Sequence, residues 1–215
     1  MEIAMEEARH ALVIDEVPIG CAVFYRGECI DRSHNLTNTL KDPLAHAEMI
    51  SLQRIPADIL AEVELYVTCE PCIMCLALII KLRIKKVIYS CCNPRFGGLS
   101  VFIEQKILTP HKTDEVITSL STEENALNTP QVNTNSTVNE VSNTSITSNN
   151  GSTQYLYTMN NKSVEYSVEM CYVPDEEAIS LLKEFYTHEN IRAPAEKRKY
   201  KTEKKLKIFK NGTGE

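Results

Sequence analysis

No stretch of the sequence reads as an export signal or a membrane anchor. Its first stretch, MEIAMEEARHALVIDE, is interrupted by charge throughout, with neither the basic start nor the unbroken apolar segment of a secretory leader. No apolar run further along approaches the ~20 residues of a membrane-spanning helix. These absences lead to the expectation of a soluble protein in a reducing compartment. There the eight cysteines stay free, and closely spaced pairs bind metal more often than they form bridges. N-x-S/T strings such as Asn135 to Thr137 then carry no meaning as glycan acceptors. A second deficit is local. From Thr118 to Gln154 there is no Lys, Arg, Cys or aromatic residue, and Ser, Thr, Asn and Gln take their place. Such a segment cannot bury enough apolar surface to offset its ordering entropy.

What is present divides accordingly. With 215 residues, 43% hydrophobic and 24% charged, the chain can bury one ordinary core. The expected layout is a folded core over residues 1–113, a disordered Asn/Ser/Thr-rich insertion over 114–154, a closing strand and helix over 155–190, and a basic tail over 191–215. The net charge of −6 hides an asymmetry: Arg192 to Lys210 holds nine basic residues against two Glu, leaving 14 basic against 27 acidic elsewhere. An acidic body with a basic tail suits contact with a polyanion; a solvated or nuclear-targeting tail is the other reading, and both stay open.

Residues 2–14 carry Ile3, Ala4, Ala8, Ala11 and Leu12 at helical spacing. PIGCAVFY and CIDRSH flank the turn RGE and predict a β-hairpin. After the loop NLTNTLKDP, LAHAEMISLQRI reads as a helix behind Asp42 and Pro43. ELYVTC is a strand, PCIMCLALIIKLR a helix starting at Pro71, and KKVIYSC another strand. PDEEAISLLKEFYTHE is a helix capped by Asp175 with acidic residues in its first turn. Alternating strands and helices predict an α/β sandwich around a central sheet.

CEPCIMC, residues 69–75, poses the chemical question, since it contains two overlapping C-x-x-C pairs. With Pro71 at the first helical position, Cys72 and Cys75 share one helical face, whereas Cys69 lies before the helix at a strand end. Two thiolates at a helix N-terminus make half of a zinc site or, alternatively, a redox pair. The other half is HAE, His46 to Glu48. His46, Cys72 and Cys75 give zinc three protein ligands and leave one position open, the pattern of a catalytic site, with Glu48 placed to handle a water's protons. H-x-E followed by P-C-x-x-C is the signature of zinc-dependent cytosine and adenine deaminases. Cys21, Cys29 and Cys171 fall in apolar strand patterns and read as buried thiols. His10, His34, His111 and His188 have no pairing at ligand spacing and read as surface groups.

The stretches EVPIGCAVF, DPLAHAEMISL, LYVTCEPCIMC and NPRFGG resemble the tRNA adenosine deaminases, which convert the wobble adenosine of the anticodon to inosine. EEAISLLKEFYTHENIRAP followed by the Lys-rich tail resembles the catalytic subunit of the eukaryotic heterodimeric enzyme. The resemblance covers residues 1 to about 108 and 164 to about 200. It implies a cytidine-deaminase-like α/β/α sandwich with a mixed central sheet, zinc on His46, Cys72 and Cys75, and Glu48 as the proton shuttle. It also implies that Asn35 bonds the flipped base, with Val17, Pro18 and Ala47 beside it. Lys197, Arg198, Lys199, Lys201, Lys204 and Lys205 would meet tRNA, a catalytically degraded relative would be the partner, and nucleus and cytoplasm the location. On the residues alone, Asn35 could instead cap a turn, and Val17 and Pro18 could be strand-entry residues. Cys69 departs from the family pattern. Two rival functions stay open: deamination of free cytidine or another small substrate, and a non-catalytic zinc scaffold.

Overall fold

The computed structural model describes residues 1–112, 153–159 and 166–187. Helix α1, Glu2–Val13, buries Ala4, Met5, Ala8 and Ala11, a mostly small-residue stripe that lets the helix lie close on the sheet. Strands β1, Gly20–Tyr25, and β2, Glu28–His34, form the expected hairpin. Its turn places Arg26 and Gly27 at φ 52° and 86°, the left-handed pair that matches the strands' twist. Gly20 is obligatory for packing: a Cβ there would run into the Ala4 carbonyl oxygen and lie 2.6 Å from the Ala8 nitrogen.

Between β2 and β3 (Glu64–Val67) lie two short helices, α2, Thr37–Leu40, and α3, Ala47–Leu52. Helix α4, Ile73–Lys81, crosses from β3 to β4, Lys86–Tyr89. Then come α5, Gly98–Glu104, β5, Leu108–Lys112, β6, Thr153–Met159, β7, Ser167–Tyr172, and α6, Glu176–Thr187. The seven-stranded sheet runs β2-β1-β3-β4-β7-β6-β5. Its centre, β3-β4-β7, is parallel, and both flanks are antiparallel, so the sheet is mixed as expected.

Each face of the sheet has its own core. One gathers Leu52, Leu65, Val67, Leu76, Ile79 and Phe102 under α3, α4 and α5. The other gathers Met5, Ala8, Cys69, Cys91, Ala178 and Leu182 under α1 and α6. The result is an α/β/α sandwich. The Asp175 carboxylate accepts from the Glu177 N–H at 2.9 Å and so caps α6. Among the described residues no helix is long and apolar enough to cross a membrane.

Several boundaries differ from expectation. The loop after Asn35 contains a helical turn, α2, because the buried Glu16 carboxylate accepts from the backbone N–H groups of Asn38 and Thr39 at 3.1 and 2.5 Å. Helix α3 starts at Ala47, not behind Pro43, since Asp42 closes a local turn with the Leu44 N–H at 2.9 Å. Helix α4 starts at Ile73, not Pro71. Cys72 bridges Gly97, and the Pro71 carbonyl accepts from Gly98, which holds the chain extended through Cys72. Helix α5 and strand β5 lie where no element was foreseen, and β6 begins inside the stretch read as insertion. The rest of that insertion, His188 and the basic tail lie outside the described residues.

Candidate metal centre and active site

Two helices begin at this site, and each begins on a ligand-type residue. His46 is the N-cap of α3 and Cys72 the N-cap of α4, both in extended conformation. Their carbonyls accept the first intrahelical bonds, from Ile50 at 3.0 Å and Leu76 at 2.8 Å, leaving the side chains free to turn inward. Cys75 follows one turn later, fully buried. The His46 Nδ1 atom lies 3.5 Å from the Sγ of Cys72 and 3.5 Å from the Sγ of Cys75. The three donor atoms all lie within 4.8 Å of one another.

A hydrogen bond from Cys75, then one from His46, pulls the Cys72 thiol down to about 4. The bond to Cys72 raises His46 in turn. Cys75, donating to Cys72 in a buried setting, is pushed far up. One negative sulfur is thus held between two proton donors. A divalent ion would replace those protons and neutralise both sulfurs. An imidazole and two thiolates are borderline-soft donors at tetrahedral spacing, and the α4 N-terminus favours their negative charge. The residues fit zinc.

Glu48 sits in the first turn of α3 and is 4% exposed. Burial raises its carboxyl above the ordinary carboxylate range. It borders a cavity of about 640 Å³ that His46, Cys72, Val17, Ile19 and Asn35 also line. Asn35 is buried, and its Oδ1 accepts from the Ala47 N–H at 3.2 Å. It therefore holds the first backbone N–H of α3 and lines the cavity at once, which leaves its amide NH₂ to offer a ligand. Pro18 and Ala47 are buried behind this wall and outside the cavity lining.

Cys69 borders the same cavity but packs in the core under α1 and α6, and a hydrogen bond with Cys91 together with burial raises its thiol. Among the described residues, the groups able to hold a metal are His46 with Cys72 and Cys75, and Glu7 with His10 and His34; Cys69 belongs to neither. All eight cysteines are unbridged. Cys21 is buried, but Cys171 is only half-buried and Cys29 is exposed at the start of β2, contrary to the buried reading. Of the histidines read as surface groups, His10 is exposed, whereas His34 and His111 are half-buried and paired: His34 with Glu7 at 2.6 Å, and His111 Nε2 2.8 Å from Thr158 Oγ1.

The outer wall contains residues that no motif announced. Glu70 accepts from the Asn93 N–H at 3.0 Å and the Leu99 N–H at 3.3 Å, bracing the loop that carries Arg95 and Phe96. A Cβ at Gly97 would collide with the Glu70 carboxylate, so this loop closes on Glu70 only with glycine there. The Arg95 guanidinium stands 5.0 Å over the Phe96 ring, which is 59% exposed. Lys183 and Tyr186 of α6 complete the rim. No local pattern marks Glu70; its two partners lie more than twenty residues away in sequence.

The sequence matches the family model for the cytidine and deoxycytidylate deaminase zinc-binding region over residues 1–91. It is 46% identical over 107 residues to the tRNA-specific adenosine deaminase subunit tad2 of Schizosaccharomyces pombe, covering 47% of this chain and 28% of that protein. To tRNA-specific adenosine deaminase 2 of Danio rerio it is 40% identical over 108 residues, covering 46% and 50%. A solved structure from work on A-to-I editing by tRNA:A34 deaminases is 40% identical, covers 46% of this chain and 79% of that one, and has a TM-score of 0.42. The chain thus spans half or less of these two eukaryotic relatives. To the tRNA-specific adenosine deaminase of Aquifex aeolicus it is 43% identical over 107 residues, 47% of this chain and 71% of that protein. With His46, Cys72 and Cys75 assembled at one point and Glu48 on the same cavity, and with this similarity to the Aquifex protein, the chain belongs to the tRNA-specific adenosine deaminase family.

Proposed function

We propose that this chain hydrolyses the wobble adenosine of a tRNA anticodon to inosine, as the catalytic subunit of a heterodimer with a related, catalytically degraded chain. The observation that carries the reading is the buried Glu48 carboxylate beside the His46, Cys72 and Cys75 donors at a cavity large enough for an extruded nucleotide. Zinc, when bound by those three residues, supplies the Lewis acidity that makes water nucleophilic near neutral pH.

Glu48 takes one proton from the attacking water and delivers it to the ring nitrogen beside C6, so the base loses aromaticity as its C–O bond forms. The proton left on the new oxygen then passes through Glu48 to the exocyclic amine. The C–N bond breaks, ammonia leaves, and inosine remains; water and adenosine account for every atom. A buried carboxyl on the cavity is placed for both transfers. Asn35, with its oxygen already engaged by Ala47, offers its NH₂ to an acceptor on the base. Anticodon bases are unpaired, which makes extrusion cheap.

Arg95 and Lys183 at the cavity rim favour a phosphate-bearing substrate over a free nucleoside, and the relatives' names point to tRNA. The basic residues from Lys197 to Lys205 would add phosphate contacts, and nucleus and cytoplasm are the compartments this reading assigns. The test is to incubate the chain, alone and co-expressed with a related subunit, with A34-containing tRNA and with free adenosine and cytidine. Inosine in the tRNA, made chiefly by the pair, is expected. Turnover of free nucleosides alone would support the small-substrate rival, and no turnover of any substrate would support the scaffold.

A further inference from the structure

Outside the deaminase donor set, α1 packs across the end of β2. Glu7 and His10 lie three apart on α1 and so share a helical face. His34 is the last residue of β2, paired in register with Gly20 of β1. At Gly20 the helix approaches the sheet so closely that a Cβ would lie 2.9 Å from the Glu7 Cβ. The glycine thus fixes the height of α1 over the register position that carries His34. In consequence, one donor atom from each of Glu7, His10 and His34 falls within 4.8 Å of the others. The His34 Nδ1 is 2.6 Å from Glu7 Oε2, and the two imidazole centroids are 4.6 Å apart.

We propose that Glu7, His10 and His34 form a second metal site, for a borderline divalent cation of the zinc, nickel or copper class. Two imidazoles and one carboxylate are the donors such ions prefer over magnesium or calcium. The donors sit on two rigid elements rather than on a loop, so little ordering remains for binding to supply. Arg32 Nε holds the other Glu7 oxygen, Oε1, at 3.2 Å. That contact orients the carboxylate and limits it to one metal bond through Oε2. A cation bound to His34 Nδ1 and Glu7 Oε2 takes the place of the hydrogen bond between them. The Glu7 and His34 side chains are only 12% and 14% exposed, while His10 is exposed. The ion is therefore gripped from the sheet side and open to water on the other, completing its shell with solvent. Bound there, it staples α1 to β2 and stabilises the folded chain by mass action.

This site is independent of the deaminase reading, and its test uses the full chain already loaded with one equivalent of zinc. Calorimetric titration with further Zn²⁺, and separately with Ni²⁺, is expected to show one additional site per chain. His10→Ala removes an exposed side chain, so the fold survives, and it should weaken that site by more than about tenfold, the loss that even outer-shell changes cause. His111→Ala serves as the control and should leave the isotherm unchanged. With Cu²⁺, electron paramagnetic resonance of the second equivalent should show two imidazole nitrogens in wild type and one in His10→Ala. A titration with no second equivalent overturns the proposal. So does an isotherm that His10→Ala leaves unchanged, since the extra ion would then bind elsewhere.

Discussion

Replacing Glu70 by Gln tests whether the cavity's outer wall is set by one half-buried carboxylate. Its oxygens accept from Asn93 at 3.0 Å and Leu99 at 3.3 Å. Hydrogen bonds to a charged acceptor contribute about 1.5 to 3 kcal/mol each, the longer one less. Gln keeps one acceptor oxygen and turns an NH₂ toward the other backbone N–H, so one bond is lost and two donors face each other. Partial burial already costs the carboxylate something, since desolvation raises its pKa against those N–H groups. The net loss therefore belongs near the lower end, about 2 kcal/mol. For a domain of this size that lowers Tm by about 4 to 8 °C. Once the Asn93 to Leu99 loop relaxes, Arg95 and Phe96 lose their fixed position at the rim. Thermal melting, zinc analysis and steady-state tRNA kinetics are the assays: a lower Tm, a raised KM, a kcat within a few-fold and unchanged zinc are expected. An unaltered Tm and KM would refute the bracing argument, and loss of zinc would place Glu70 in the metal centre.

Three further outcomes follow from the same geometry. Cys69→Val should keep zinc and most activity at a cost of at most about 1 kcal/mol, because a similar volume packs against Cys91; Cys75→Val should abolish both, and X-ray absorption should count two sulfurs at zinc, three being contradictory. The deamination rate should fall as pH drops through the Glu48 pKa if this carboxylate is the proton acceptor, with protonation removing the base; an acid limb left unchanged in Glu48→Gln would contradict the assignment. Truncation after Ala195 should weaken tRNA binding and flatten its salt dependence, as fewer phosphates are neutralised, with an unchanged salt slope as the contrary result.

The metal donors were legible because C-x-x-C and H-x-E are local patterns that a helix start turns into convergent geometry. What placed that start was not legible. Pro71 suits a first helical position, yet the bridge from Cys72 to Gly97 keeps the chain extended one residue past it. The same kind of distant partner hid Glu16 and Glu70, whose carboxylates serve backbone N–H groups of other segments. Strand β5 was missed because Pro110 argues against a strand; it is tolerated since β5 is the outermost strand. His34 looked solitary because its partners lie on α1, and only the close approach at Gly20 brings them together.

The central claim is that one chain carries the zinc donors and the proton shuttle for wobble adenosine, and a single preparation of Glu48→Gln tests it most directly. Zinc per chain and inosine formed in A34-containing tRNA are measured on the same sample, beside wild type, each with the related subunit. Glu48 is buried next to the donors without being one of them. About one zinc at the cysteine centre is expected in both proteins, with inosine formation reduced by about a hundredfold or more in Glu48→Gln. Near-wild-type inosine formation with zinc retained would contradict it.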